Sequence, residues 1–200
     1  MTSMAYTAEA PRLFRSVERL RGALLWLTGF AGAIVFMEPS PYEVASLLTI
    51  IVFAVTGLAL RPGLMPLIVM LILYNTGFSL AVIQVIDEPK ALTWVAVSWY
   101  LSTTAIFFAA MLQANTAERL SMLMRGTTMA AAASSFIAIL AYFHLLGPLS
   151  DTFLLYDRAR AAFNDPNVLG AFLILPAMLA LQRVLNGRFA DAARASLLLG

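Results

Sequence analysis

The sequence predicts an all-α protein: a polytopic integral membrane helical bundle with six complete transmembrane helices, the start of a seventh, and a cytoplasmic N-terminus. Of its 200 residues, 61% are hydrophobic and 12% are charged, whereas an ordinary soluble domain has about 25% charged residues. The mean hydropathy is +0.84. A soluble domain of this size still exposes roughly a quarter to a third of its chain to water. This composition therefore excludes a soluble enzyme.

Six long stretches without Asp, Glu, Lys or Arg define the predicted spans, since a membrane-spanning helix needs about 20 mainly apolar residues. We expect spans at about 22–38, 43–60, 64–86, 91–113, 124–147 and 167–185. The first is short by count, and snorkelling of Arg21 extends it. A seventh stretch begins at Ala195 and stops at Gly200. We therefore interpret residues 22–200 as the N-terminal part of a longer transmembrane domain.

The distribution of charge predicts the orientation, because Lys and Arg prefer the cytoplasmic side of a membrane. The N-terminal segment, residues 1–21, is rich in arginine, and we expect its part from about 11 to 21 to lie on the inner surface as an amphipathic stretch. With this segment inside, ten of the 13 basic residues are cytoplasmic, and the exceptions are Lys90, Arg158 and Arg160. A cleaved signal peptide is disfavoured because the 21-residue basic region is long and the apolar run continues to Met37.

Short connections at 61–63 and 87–90 predict antiparallel hairpins, and the small residues of 126–135 predict that span 5 is buried. Asn75, near the centre of span 3, is expected to hold helices together, and His144 to be a neutral interfacial residue. The chain has no cysteine and one histidine. It therefore offers no disulfide, thiolate nucleophile, Cys-ligated metal site or histidine cluster.

The longest external connection, residues 147–165, contains Arg158 and Arg160, two of the three outward basic residues. Their separation of two favours an extended segment, in which both side chains face the same side. Guanidinium groups match phosphate oxygens in geometry and charge. The alternative is that both arginines simply pair with Asp151 and Asp157.

Asp165, Pro166 and Asn167 follow directly and predict a helix start, because Asp is a good N-cap and Pro is favoured at the first helical position. A helix N-terminus is a natural anion site. The carboxylate of Asp165 works against that use, since it occupies the cap itself. A plain cap with no ligand therefore remains the alternative.

The segment from Tyr156 to Leu181 resembles the signature of the O-antigen ligase family, the polytopic membrane glycosyltransferases that include O-antigen ligases and Wzy-type polymerases. That pattern has an arginine, a small-residue pair that is often Gly-Thr, a phenylalanine, Pro-Asn, and a small residue leading into a membrane helix. The matching residues are Arg160, Phe163, Pro166, Asn167 and Gly170. Ala161 and Ala162 stand where the family usually has Gly-Thr.

The resemblance implies an enzyme of the bacterial inner membrane that transfers a glycan from an undecaprenyl-pyrophosphate carrier to an acceptor lipid or glycan. Such proteins act in the biosynthesis of lipopolysaccharide or other cell-surface polysaccharide. The lipid pyrophosphate is itself the leaving group, so the resemblance implies no metal and no cofactor. No nucleic-acid partner is expected either, because the positions of the basic residues are explained by the membrane topology. Arg158 and Arg160 are the residues expected to bind the pyrophosphate. No catalytic residue is assigned, and these 200 residues alone are expected to be inactive.

Two other classes of function remain open. A small-molecule transporter or channel subunit predicts charged or Gly/Pro-interrupted residues near the midplane, often in paired repeats, and the spans have no midplane charge and no visible repeat. A non-catalytic membrane scaffold would not need Arg158 or Arg160 for its function.

Overall fold

The computed structural model describes residues 6–37 and 40–185, and the predicted start of a seventh span lies outside the described residues. Apart from short 3-10 turns and a two-stranded hairpin, the regular elements are helices. They are α1 (Tyr6–Ala31), α2 (Pro41–Gly57), α3 (Met65–Val82), α4 (Ala91–Leu112), α5 (Thr116–Tyr142) and α6 (Pro166–Leu185).

Four of the described helical stretches are long and apolar enough to cross a membrane. They are Pro62–Val85, Ala91–Leu112, Thr116–Tyr142 and Pro166–Leu185, the first of which includes the 3-10 turns on either side of α3. Helix α2 is apolar but has 17 residues. The described chain is therefore an all-α, multi-pass membrane protein.

Helix α1 differs from the prediction at both ends of its apolar part. The arginine-rich stretch does not form a separate surface helix but continues directly into the apolar stretch, and the helix ends at Ala31 rather than near residue 38. The chain leaves the helix because residues beyond it make tertiary contacts: the Val35 amide donates to the Ala162 carbonyl at 3.0 Å. The apolar part, Gly22–Ala31, is about 15 Å long at 1.5 Å per residue. Arg21 does not snorkel, since it is 6% exposed and donates to Glu18 at 2.5 Å.

Helix α5 also differs from the prediction, because it begins at Thr116 rather than near residue 124. The polar first turns were expected to be a loop, but a helix can extend beyond the bilayer when its polar side chains find partners. Arg119, which is buried, provides one through its Nη2, which donates to the Glu18 carboxylate at 3.1 Å. The Glu18–Arg119 pair therefore joins the middle of α1 to the first turn of α5.

The outer end of α5 lies at Tyr142, five residues before the predicted end of span 5. His144 has a left-handed backbone with φ of 53°. Its amide donates to the Ala141 carbonyl and the Leu145 amide donates to the Leu140 carbonyl, both at 2.9 Å. This pattern is a Schellman motif, which satisfies the last carbonyls of a helix. His144 is exposed, and its observed role is to terminate the helix.

The described chain divides into two compact units, one formed by residues up to Val52 together with those from Glu118 onward, and the other by Phe53–Ala117. In the first unit, α1 and α5 approach each other through glycines. A Cβ on Gly126 would lie 2.9 Å from the carbonyl carbon of Trp26, and one on Gly29 would lie 3.0 Å from the Thr127 nitrogen. Small residues permit such close approach of membrane helices.

The contacts between α1 and α5 also give their relative direction. Residue 18 meets 119, residue 22 meets 122 and residue 26 meets 126. Because both numbers rise together, the two helices run parallel. This agrees with the predicted topology, in which spans 1 and 5 cross the membrane in the same direction.

In the second unit, α3 and α4 form a hairpin around a buried amide. Asn75 is fully buried, and its Nδ2 donates to Ser102 Oγ at 2.7 Å. Ser98 Oγ donates to Asn75 Oδ1 at 2.8 Å. Asn75 therefore holds the two helices together, as the sequence predicted.

The glycine contact yields a test of the α1–α5 interface. Gly126→Ala should destabilise the protein by about 1–3 kcal/mol, because the new methyl group would collide with the α1 backbone. Gly77→Ala is the matched control, since nothing lies within 4 Å of a Cβ at that helical glycine, and it should be neutral or slightly stabilising. Thermal unfolding in detergent measures both. Equal unfolding temperatures for the two variants would contradict the close contact.

Candidate functional site

The connection between α5 and α6, which the predicted topology places outside, is folded rather than irregular. A 3-10 turn, Gly147–Phe153, leads into strand β1 (Leu154–Leu155), which pairs in antiparallel fashion with β2 (Arg158–Ala159). The two turn residues between the strands, Tyr156 and Asp157, have φ of 52° and 58°. Two left-handed residues in a two-residue loop are typical of a type I′ turn. The arginines therefore lie on, and directly after, the second strand of a tight hairpin.

Arg160 faces the body of the connection. Its backbone amide donates to the Phe153 carbonyl at 2.9 Å, and its Nη2 donates to the Thr152 carbonyl at 3.1 Å. Its Nε is buried and has no hydrogen-bond partner among the described residues. Arg160 thus clamps the hairpin to the preceding 3-10 turn, and only part of its guanidinium is open to a ligand.

Arg158 has a different environment. It is exposed, and its Nη2 donates to Asn167 Oδ1 at 3.0 Å. In the described part of the chain, the salt bridges involve Glu18 with Arg21 and with Arg119, and none involves Arg158 or Arg160. The proposed pairing of these arginines with Asp151 and Asp157 is therefore not found there. Arg158 keeps an uncompensated positive charge at the end of the hairpin.

The start of α6 is a capped N-terminus. The helix begins at Pro166, and Asp165 Oδ1 accepts the Asn167 amide at 2.7 Å. The Asp165 carbonyl also accepts the Val168 amide at 3.1 Å. Because the carboxylate already occupies the cap, the helix N-terminus is not an anion site by itself. Any anion recognition here depends on the arginines.

Phe163 fixes the connection onto the helices. Its ring is 2% exposed and lies 5.2 Å from the Phe172 ring. It belongs to a cluster of buried residues whose other members are Ala33, Ala130, Ala138, Ala161 and Leu169. The ring therefore joins the outer connection to the segment after α1, to α5 and to α6.

Two other positions of the motif behave differently from each other. Ala161 is 3% exposed and has φ of 46°, a conformation that favours glycine. Gly170 is exposed, and nothing lies within 4 Å of a Cβ built there. The alanine is thus held in a strained backbone, while no packing contact among the described residues requires the glycine.

Sequence reasoning missed the link between Arg158 and Asn167, because nothing in their spacing indicates a hydrogen bond across the connection. It also missed that Glu43 is part of a cap. The Ser40 amide donates to Glu43 Oε2 at 3.0 Å and the Glu43 amide donates to Ser40 Oγ at 3.3 Å. Ser-x-x-Glu before an apolar run is the sequence signal of such a capping box.

A polar recess lies at the turn between α3 and α4, and it is lined by Gln84, Val85, Asp87, Glu88 and Trp94. The carboxylates of Asp87 and Glu88 would repel an anionic ligand. Within residues 6–37 and 40–185, no three His, Asp or Glu side chains lie together as a metal site would require. A search of protein-family models, curated proteins and solved structures finds no match to this chain.

The left-handed alanine yields a second test. Ala161→Gly relieves backbone strain of about 1–2 kcal/mol and loses the burial of a methyl group, about 0.8 kcal/mol. Glycine also costs about 0.5–1 kcal/mol of additional chain entropy on folding, so the variant should be about as stable as the original chain. Ala159→Gly, in strand β2, should cost about 0.5–1 kcal/mol because it has no such strain to relieve. Thermal unfolding of both variants compares them directly, and equal destabilisation would argue against a left-handed Ala161.

Proposed function

We propose that the chain is the N-terminal part of an O-antigen ligase-like or polymerase-like glycosyltransferase of the bacterial inner membrane, and that it binds the pyrophosphate of an undecaprenyl-linked glycan. The observation that carries this proposal is Arg158, an exposed guanidinium that forms no salt bridge with any residue the structure describes. It is tied to Asn167, in the Pro-Asn pair that leads into a membrane helix. The resemblance supplies the chemistry, and the geometry is compatible with it.

The proposed topology has six spans, the start of a seventh, and a cytoplasmic N-terminus. The parallel course of α1 and α5 supports it, since both helices then leave the arginine-rich inner side. In this topology the non-helical segment 32–37 completes the first crossing. Backbone outside a helix is tolerated at membrane depth only where protein or water covers it. The Val35–Ala162 hydrogen bond supplies part of that cover.

The proposed reaction is displacement at the anomeric carbon of the carrier-linked sugar. An acceptor hydroxyl oxygen forms the new glycosidic bond, while the bond between that carbon and the pyrophosphate oxygen breaks. The electron pair of the broken bond leaves with undecaprenyl pyrophosphate. The hydroxyl proton goes to a base, and we assign no described residue to that role. A guanidinium at the departing oxygens stabilises the charge that develops there.

The two arginines have unequal roles in this proposal. Arg158 contacts the pyrophosphate, because its remaining N–H groups are exposed. Arg160 mainly holds the hairpin, because its backbone and Nη2 bind the preceding turn. Both residues are needed, but for different physical reasons.

A binding experiment tests the assignment. The 200-residue chain is placed in nanodiscs, and its affinity for undecaprenyl pyrophosphate is measured together with thermal unfolding. Arg158→Ala should weaken binding roughly tenfold to a hundredfold, the range for lost hydrogen bonds to a charged group, and leave the unfolding temperature unchanged. Arg160→Ala should lower both affinity and stability.

Lys90→Ala is the matched control, since Lys90 is also exposed and is the third basic residue expected on the outer side. Its affinity should equal that of the original chain. Unchanged binding by the Arg158 variant would refute the site, and a chain that binds no carrier lipid would favour a scaffold or a transporter.

A further inference from the structure

Asn167 makes one hydrogen bond through its backbone and one through its side chain. Its backbone amide donates to the Asp165 carboxylate at 2.7 Å, and its side-chain oxygen accepts from Arg158 at 3.0 Å. Pro166, between them, fixes the first helical residue. Asp165, Pro166 and Asn167 therefore link the start of α6 to the guanidinium of Arg158.

We propose that Asn167 is the positioning residue that holds Arg158 in the orientation that binds a pyrophosphate group. This inference rests on the proposed function. Arg158 follows a two-residue turn and is exposed, so without Asn167 its long side chain would sample many rotamers. An arginine side chain has considerable rotamer entropy, and a hydrogen bond to Asn167, whose backbone lies in the capped first turn of α6, reduces the entropy that ligand binding must later remove.

The type of acceptor matters as much as its place. An amide oxygen accepts a hydrogen bond without adding charge, so Arg158 keeps its full positive charge for an anionic ligand. A carboxylate at position 167 would orient the guanidinium equally well but would compete with the ligand for it. The side-chain amide of Asn167 therefore orients Arg158 without neutralising its positive charge.

The experiment compares Asn167→Ala and Asn167→Asp with the control Asn164→Ala. Asn164 is a neighbouring exposed asparagine that forms no hydrogen bond with the described part of the chain. The 200-residue chain in nanodiscs is titrated in two arms, one with undecaprenyl pyrophosphate in the bilayer and one with inorganic pyrophosphate in the buffer. In the lipid arm, Asn167→Ala should weaken binding about fivefold to tenfold. The control should bind like the original chain.

Asn167→Asp separates a positioning role from a structural one. An acidic residue in the first turn of a helix is favourable, so this variant should be as stable as the original chain or more stable. Its affinity should nevertheless fall further than that of Asn167→Ala. A residue needed only for folding would not show higher stability together with weaker binding.

A double-mutant cycle gives the deciding result. In the Arg158→Ala background, Asn167→Ala should have no further effect on affinity. A full additional loss in that background, or unchanged binding by the single variants, would overturn the positioning role and leave the proposed function intact. A chain that binds neither probe would overturn both. Equal weakening in the two arms would identify the pyrophosphate itself, rather than the lipid chain, as the group that Arg158 recognises.

Discussion

The burial of Phe163 is the contact on which the outer side of the first unit depends. An aromatic ring that is removed from water or lipid fills a large volume, and truncating such a ring typically costs about 3–5 kcal/mol. The ring shares its buried cluster with alanines on separate segments, Ala33 before α2, and Ala130 and Ala138 on α5. Because Phe163 is two residues from the cap of α6, fixing the ring also fixes where that helix begins. The hairpin that carries the arginines is thereby held at the same end of the bundle.

This anchoring explains how the connection retains a strained backbone. Three residues within six positions, Tyr156, Asp157 and Ala161, have left-handed φ without being glycine. Such residues persist only where the surrounding structure determines their conformation. Arg160 contributes to this by clamping β2 to the 3-10 turn, and Phe163 contributes from the other side. The segment with left-handed residues is therefore held by Arg160 at the 3-10 turn and by Phe163 at the helices. These two contacts keep Arg158 next to α6.

The limits of the charge-free stretches predict the positions of most helices, but they predict less about the candidate site. The apolar runs locate α3, α4 and α6 closely, because their helices end where the polar turns begin. They misplace the end of α1 and the start of α5, since charge marks the edge of the bilayer, and a hydrogen bond such as Val35–Ala162 or an ion pair such as Glu18–Arg119 decides where a helix ends. The composition of the connection indicated two equivalent arginines. Their difference arises from backbone carbonyls and one amide, which no sequence pattern specifies.

The charge of the outer connection constrains what kind of ligand it can receive. Residues 147–165 contain three aspartates and only two arginines, so the segment as a whole does not attract anions over long distances. Solvent ions also screen such charges beyond about 10 Å. Recognition of a phosphate here must therefore depend on short-range contacts such as those open to Arg158. A ligand captured from solution benefits from electrostatic steering, whereas a lipid-linked headgroup reaches the site by diffusing within the membrane. The proposed carrier lipid is of the second kind, so an oriented arginine in a connection of net negative charge is consistent with its recognition.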